Sequence, residues 1–435
     1  MLPHKDSADM LDLDQRVLSD SPLNAEPSPA ALVAHFLTPP AATFHRNHGP
    51  WLDLAPDYAL DVSSDVPGLD TDPAHSSFTC AQLARFPKHS LVTVLACAGN
   101  RRQKMSLEKE TEGLQWGKSA LSNSHFAGAL LRDVLAQAGI KLDDLDKDGK
   151  ADKLHVHFES RQTCEEDSYY GASLPLRMAL DPERPVLLAY EMNRAPLTKA
   201  HGAPLRIVVP GIIGARSVKW LERIIIRDKE SDCFYQQRDY KILPPDATPA
   251  TKEEHLKRLP ALHEFPLNCE ICDPVEDAVV ERSSSSSPTV RVKGYSVGSK
   301  GVPIASVHVA LVPLPVPHHD SPYAAATPEL ADCEVHQVRL HAATLPSEAW
   351  VEAELDDGPD ASAGEEKEKK KQWGWTLFSA AVPLAALPAD AREAALVAYA
   401  TDANGERQEL QTHWNLRGVA EASWSVVKIK FAHEE

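Results

Sequence analysis

Positive charge is what this chain has least of. Against 63 Asp and Glu stand 45 Lys and Arg, a formal net charge of −18 at pH 7. Nucleic acids and anionic bilayers are bound by basic patches, so the balance argues against both: no nucleic acid and no membrane partner is expected. A small anion remains possible, because a local arginine cluster can hold one inside an acidic molecule. Cysteine is also sparse. Cys80, Cys97, Cys164, Cys233, Cys269, Cys272 and Cys333 form an odd set scattered through 435 residues, which reads as reduced and intracellular rather than as a disulfide framework. No apolar run approaches the ~18 residues of a membrane span. The opening MLPHKDSADMLDLD has no apolar stretch behind a basic start, and the closing AHEE is not a peroxisomal tail of the SKL kind. A cytoplasmic protein is the expectation.

What is present suits a folded chain of two or three domains: 43% hydrophobic and 25% charged residues. Residues 1–35 are polar, with Pro27 and Pro29, and read as a flexible lead-in. Over 36–245 strand and helix patterns interleave. Residues 91–96 (LVTVLA) are a short apolar run, a buried strand by length and composition. Leu130, Leu131, Val134, Leu135 and Ala138 recur at helical spacing before Gly139, a C-cap candidate. Further strands are expected over 155–158, 186–191, 205–209 and 218–227, giving an α+β domain. Residues 246–288 form a Pro-rich linker ending in the run Ser283 to Ser287. The stretches TVRVKGYSV, SVHVALVPL, ALVAYATD and SWSVVKIKF then alternate, so a β-sandwich is expected over 265–435, carrying a charged loop insertion at 356–371.

Three segments carry chemistry. In LVTVLACAGNRR a buried strand ends at Cys97. Gly99 and Asn100 then suit a tight turn, and Arg101 and Arg102 follow. Nearby cations favour the thiolate, the form that binds a soft metal or attacks an electrophile. The plainer alternative is a core cysteine before a turn. TFHRNHGP packs His45, Arg46 and His48 into one loop, which can wrap an anion or be a surface turn. LLAYEMNRAPLTKAHGAPLRIVVPGIIGARSVKWL brings His201, Arg206, Arg216 and Lys219 close in sequence, as anion donors or as solvated cations.

FHRNHGP, CAGNRR, YGAS (Tyr170 to Ser173), LLAYEMN, HGAPLR, VPGIIGARSVKW and WNLRG (Trp414 to Gly418) occur in this order. The chain thereby resembles the sulfite oxidase family, which includes the molybdenum domain of eukaryotic nitrate reductase. The resemblance covers about 36–240 and the last WNLRG region. It implies an α+β molybdopterin-binding catalytic domain over 36–245, followed by an all-β immunoglobulin-like dimerisation domain over 265–435. It implies molybdenum and one molybdopterin per chain, with Cys97 as the protein ligand to the metal. It further implies Phe44, Arg46, His48, His201, Arg206, Ser217 and Lys219 as contacts to the pterin and its phosphate. Arg46, Arg102, Trp116, Tyr170 and Arg417 are placed around the substrate oxyanion. The implied activity is oxidation of sulfite to sulfate by oxygen transfer from Mo(VI), with electrons passed to oxygen or a separate carrier, in a homodimer. The alternatives are a nitrate-reducing relative, in which Arg417 would tend to be uncharged, and a non-catalytic binding protein.

Some segments depart from the family pattern. SALSNSHF (Ser119 to Phe126) stands where a segment like GAISNARW is common, VALVPLPVPHHDSPY is longer and more Pro-rich than its counterpart, and the 356–371 insertion is unusual. These bear on the dimer surface and partner docking more than on the metal site. No cytochrome b5-type His-Pro-Gly-Gly motif, flavin motif or iron–sulfur motif is seen. Three other patterns have plain readings. Gly294 to Gly298 fits G-x-S-x-G but is followed by another strand rather than a helix. Cys269 and Cys272 form a C-x-x-C without a second pair. His155 and His157 share one strand face and are expected to be a hydrogen-bonded pair.

Overall fold

The computed structural model describes residues 15–140, 145, 149–281, 288–359 and 371–432. Of the expected lead-in, residues 15–35 are structured, and residues 1–14 lie outside the described residues. Gln15–Asp20 and Leu23–Pro27 form an antiparallel hairpin, and Pro29–Leu32 is one helical turn with Ser28 at its N-cap. All five residues of Leu23–Pro27 are buried. The reason is polar rather than apolar. Glu26 accepts the backbone N–H groups of Gly117 and Ser119 at 2.8 and 3.3 Å, and Asn24 Oδ1 accepts that of Asn47 at 2.9 Å. Hydrophobic patterning carries no trace of such a tether.

Two five-stranded sheets build the first half. One runs Ser77–Thr79, Ala59–Ser64, Arg223–Arg227, His155–Ser160, Tyr170–Pro175, with Ala59–Ser64 parallel to Arg223–Arg227 and the other pairs antiparallel. The other runs Ala195–Pro196, Leu187–Met192, Leu121–Leu130, His89–Ala96, with Arg206–Val208 also on Leu187–Met192. Val94, Leu188, Val156, Phe158, Ile224 and Ile226 join one buried cluster between them. The helix Leu131–Gln137 matches its spacing, and Gly139 behind it has φ +91°, where a β-carbon is disfavoured. Over 218–227 only Arg223–Arg227 is strand. The preceding residues bend through Trp220 at φ +50°, and this bend turns Lys219 into the site described below.

The stretch expected as a linker is structured too. It holds the helix Lys252–Arg258 and the strand Asn268–Asp273. Its serine run lies outside the described residues, as does most of the 356–371 insertion. In the second half, four strands (Asn268–Asp273, Thr289–Val297, Thr376–Pro383, Glu354–Asp356) face five (Ala278–Val280, Ser425–Phe431, Glu393–Asp402, Ile304–Pro313, Trp350–Glu352). Ile271, Val292 and Phe378 from the first sheet share a core with Val309, Leu396 and Val427 from the second. The helix Glu334–Ala343 packs outside, its Val338 and Ala342 against Val397 and Trp424. Among the described residues no helix is long and apolar enough to cross a membrane.

Candidate functional site

The strand His89–Ala96 delivers Cys97 to the wall of a buried cleft. Its neighbours are fixed by the backbone. Cys97 N–H donates to Ala120 O at 2.8 Å, and Gly99 N–H points at the sulfur at 3.4 Å. Asn100 Oδ1 accepts Ala120 N–H at 3.0 Å, while its Nδ2 donates to the Tyr295 hydroxyl, also at 3.0 Å. The left-handed residue of this turn is Arg101, at φ +68°, rather than Gly99 or Asn100. Gly99 is needed for another reason: a β-carbon there would lie 2.6 Å from the Arg102 guanidinium.

The loop from Thr43 contributes Phe44, Arg46, Asn47 and His48. Arg46 Nη1 donates to Asn47 O at 2.6 Å and Asn24 Oδ1 at 3.2 Å, and its Nη2 lies 3.2 Å from His48 Nδ1. A guanidinium cannot accept, so His48 Nδ1 is the acceptor and its Nε2–H donates to the Tyr240 hydroxyl at 2.8 Å. Burial first, then Arg46, Lys219 and Arg417, hold His48 well below the ordinary imidazole range, so the ring is neutral. Tyr170 stacks on it at 5.5 Å and donates to Ala215 O.

The third contribution comes from His201, Arg206, Ser217 and Lys219. Arg206 donates to the carbonyls of His201 and Ser217 at 3.2 and 2.9 Å, and its Nε is buried without a partner. Burial alone lowers it to about 10. Lys219 donates to Asn47 Oδ1 and Ala200 O and is held well below the usual lysine range by burial, then by Arg206 and Arg46. Gly202, at φ +103°, lets the Lys219 stem pass within 3.0 Å of where a β-carbon would sit. His201 is pushed well below its ordinary range by burial, then by His45, Lys219 and Arg206.

Among the described residues no Asp or Glu lines this cleft. Buried cations without counter-ions are costly. Buried Arg206, with its orphaned Nε, and the half-buried Arg46 and Lys219 together fit an anionic, phosphate-bearing ligand. A thiol on the same wall fits a soft metal.

The structure corrects part of the expected site. Arg102 is not among the residues lining the cleft. Its Nε donates to the carbonyls of Arg417 and Gly418 at 3.0 and 3.2 Å, and its Nη1 to Leu114 O at 2.8 Å. It therefore spans the two halves of the chain and brings its charge near Cys97. Trp116 is also off the lining. Fully buried, it packs with Cys97 and Ala120 and meets Phe44 edge-on at 6.5 Å, so it is a wall behind the cysteine. Arg216 donates to Tyr235 O and Leu262 O beneath the cleft. Arg417, far away in sequence, is likewise not among the lining residues; it lies close enough to depress His48 and to be depressed by Arg46, and its guanidinium is held by Asp239 and Glu112.

Tyr240, Gln162 and Trp220 line the cleft without having been singled out in the sequence. Tyr240 directly follows the π-helical turn Tyr235–Asp239, a local distortion with no periodic signature. Asn47 was legible only as part of the RNHG run. Of the other patterns, Ser296 lies within the strand Thr289–Val297 and donates to Asn268 O at 3.0 Å. Cys269 and Cys272 are buried, and burial pushes the Cys272 thiol up to about 12. His157 is buried, its Nε2 is 2.8 Å from Lys229 O, and burial lowers it to about 4.

Comparison with known proteins gives a consistent picture. Residues 48–235 match the model of an oxidoreductase molybdopterin binding domain, and residues 338–432 that of a Mo-co oxidoreductase dimerisation domain. The chain is 35% identical over 418 residues to mitochondrial sulfite oxidase of Mus musculus, covering 95% of this chain and 65% of that protein. It is 33% identical over 422 residues to sulfite oxidase of Arabidopsis thaliana, covering 96% and 94%. In fold it is similar to the sulfane dehydrogenase SoxCD of Paracoccus pantotrophus, with a TM-score of 0.67 and 21% identity over 96% of this chain and 88% of that one.

Proposed function

The chain belongs to the sulfite oxidase family of molybdopterin oxidoreductases, and on that premise we propose that it oxidises sulfite to sulfate. Membership implies a molybdenum–molybdopterin cofactor, and the cleft fits it. The observation that carries the reading is a cysteine beside three cations, one buried and two half-buried, in a cleft lined by no carboxylate among the described residues, in a chain of net charge −18.

Cys97 would hold the metal through its sulfur. Arg206, Lys219, His201 and Ser217 would fix the pterin and its phosphate, with Phe44 and His48 beside them. When bound, this cofactor supplies the oxygen-atom transfer and the two-electron chemistry. The chain supplies field and position. Arg46 presents a guanidinium whose charge no neighbouring carboxylate cancels, so it can bind an oxyanion in a bidentate manner. Neutral His48 preserves that field instead of adding an exchangeable proton. Because His48 Nε2–H donates to Tyr240, the Tyr240 hydroxyl proton is left to point at another acceptor. Tyr170 holds a second hydroxyl in the same wall. Arg417 at the entrance favours a doubly charged oxyanion over nitrate. Arg102 and Trp116 act as positioning groups behind Cys97.

The second half would form a homodimer through the matched dimerisation region. We read it as immunoglobulin-like: the order of its sheets and the parallel pairing of Ala278–Val280 with Ser425–Phe431 support this. Electrons would pass to oxygen or to a separate carrier. The test is molybdenum stoichiometry on the purified chain together with sulfite-dependent reduction of ferricyanide and of oxygen. Turnover proportional to metal content is expected. A fully loaded protein inert to sulfite with both acceptors would overturn the reading.

A further inference from the structure

The hydrogen bonds around Cys97 close a ring. Its N–H donates to Ala120 O at 2.8 Å, its carbonyl accepts Asn100 N–H at 3.0 Å, and Asn100 Oδ1 accepts Ala120 N–H at 3.0 Å. The Gly99 N–H that points at the sulfur is carried within this ring. Packing supports the ring incompletely. Trp116 and Ala120 lie against Cys97, but a cavity of about 30 Å³ also borders it. Ala98, Asn100, Tyr295, Val297 and Glu421 wall that cavity with it, and it has room for about one or two water molecules. There polar ties, not packed side chains, must hold the turn.

Tyr295 supplies one such tie. It is fully buried in the strand Thr289–Val297 of the second half, and its ring stacks on Trp375 at 6.0 Å. Trp375 is itself fixed, because its Nε1–H donates to Phe36 O at 2.9 Å. The Tyr295 hydroxyl accepts from Asn100 Nδ2 at 3.0 Å and donates to Lys118 O at 2.9 Å. Both directions are forced. A carbonyl can only accept, and Asn100 has committed its oxygen to Ala120 N–H, which leaves its amide hydrogens for Tyr295. One hydroxyl thus joins the turn after Cys97 to the 118–120 segment that receives the Cys97 N–H.

We propose that Tyr295 is a positioning residue for the metal-binding cysteine: acting through Asn100, its hydroxyl fixes the turn that aims the Gly99 N–H at the Cys97 sulfur, and so tunes the metal from the second half of the chain. This rests on the sulfite-oxidising reading above. No bond is made or broken at Tyr295.

The test uses the full chain. In cofactor-free protein, the rate at which iodoacetamide alkylates Cys97 is followed by mass spectrometry of its peptide. Tyr295→Phe deletes only the hydroxyl and is expected to speed this reaction about tenfold, the effect of losing two ordinary hydrogen bonds that close the turn. In loaded protein the metal's reduction potential is expected to fall, because a weakened hydrogen bond to a ligand sulfur leaves more charge on the metal. The sulfite kcat per molybdenum should fall with it while KM holds, since Arg46 is untouched. Ser296→Ala is the control. It removes a hydrogen bond on the same strand, to Asn268 O, outside the ring around Cys97, and should move none of these readouts. Asn100→Ala cuts the tie from its other end, with the same expectation should Tyr295→Phe fail to fold. Unchanged alkylation and potential in a folded Tyr295→Phe protein would overturn the proposal, as would equal changes in Ser296→Ala. If alkylation quickens yet neither protein oxidises sulfite, the reaction assigned above fails and the tie stands. If the unmodified protein oxidises sulfite and Tyr295→Phe alkylates no faster at an unmoved potential, the tie alone fails.

Discussion

Arg101 Nε lies 2.9 Å from Glu270 Oε2, and neither side chain is reached by solvent. The same guanidinium donates to Asn268 Oδ1 at 2.8 Å and Ser423 O at 2.7 Å, all in the second half of the chain. Lys118 and Lys104 approach Glu270 at 2.9 and 3.5 Å. The first arginine of CAGNRR is thus a pin between the halves, and the turn that carries Cys97 is clamped from outside its own domain.

Glu270→Gln should therefore be severe. It leaves three cations facing a neutral amide in a dry interface, where breaking a buried pair costs about 3–5 kcal/mol. Burial pushes the Glu270 carboxyl up, but Arg101, Lys104 and Lys118 outweigh it and hold the group well below the carboxylate range. Its contribution is then complete at neutral pH and is lost on acidification below about pH 4.5, the ordinary glutamate value. Urea unfolding measures the loss. A drop under about 1 kcal/mol would show that the network is not what joins the halves.

Arg206→Met should move stability and cofactor retention in opposite directions. In the absence of an anion Arg206 is a buried charge without a counter-ion, and a methionine of similar length removes the desolvation penalty. The unloaded protein is expected to gain about 1–3 kcal/mol, while molybdenum content falls sharply. If Arg206 is merely structural, melting temperature falls and metal content stays.

How much of this was legible in sequence depends on the kind of interaction. Cys97 at a strand end, the RNHG loop and the HGAPLR run were readable because each packs its chemistry into a few consecutive residues. The helix Leu131–Gln137 was readable because its apolar face is periodic. Leu23–Pro27 was not, since Glu26 and Asn24 hold it by polar contacts with residues far along the chain. Arg101 and Arg102 looked equivalent as neighbours. A left-handed Arg101 sends one to Glu270 and the other to the carbonyls of Arg417 and Gly418. Asp239 had no motif, and its meaning comes only from Arg417 being folded back beside it.

Three histidines near the cleft predict acid lability. Burial, then Lys219, lowers His45 from 6.5 to about 4, and His48 and His201 lie well below 6.5. The unfolded chain takes up protons below about pH 6.5 that the folded one refuses, so stability is complete above that pH and falls towards pH 4. Each histidine contributes a slope of up to about 1.4 kcal/mol per pH unit. Melting curves across this range should steepen accordingly, and His45→Leu should flatten them. An unchanged slope in that variant would remove His45 from the account.

Cys97→Ser should abolish turnover while leaving the melting temperature nearly unchanged. The side chains are similar in volume, and the backbone contacts of Cys97 to Ala120 and Asn100 do not require sulfur. A hydroxyl is a harder and far less acidic ligand than a thiol, so it would hold the metal poorly. Full sulfite oxidation by the variant would sink the assignment of Cys97.

Arg417→Met separates a substrate role from a structural one. Arg417 comes from the second half of the chain to lie near His48, with its backbone carbonyl held by Arg102 and its guanidinium by Asp239 and Glu112. If it binds the oxyanion, removing one charge-assisted contact should weaken binding by ~1.5–3 kcal/mol, roughly ten- to a hundredfold. The effect has two parts, because the substitution takes away a cation and leaves Asp239 unopposed beside the path of an incoming anion. The sulfite KM should rise strongly while molybdenum content holds, since neither Cys97 nor the Arg206 and Lys219 cations are touched. Raised salt should reproduce part of the effect in the unmodified protein by screening entry. If Arg417 is only an ion-pair partner of Asp239 and Glu112, the variant should melt earlier with its sulfite KM unmoved. Steady-state kinetics and a melting curve on one preparation decide, and an unaltered KM in a stably folded variant would refute the substrate role.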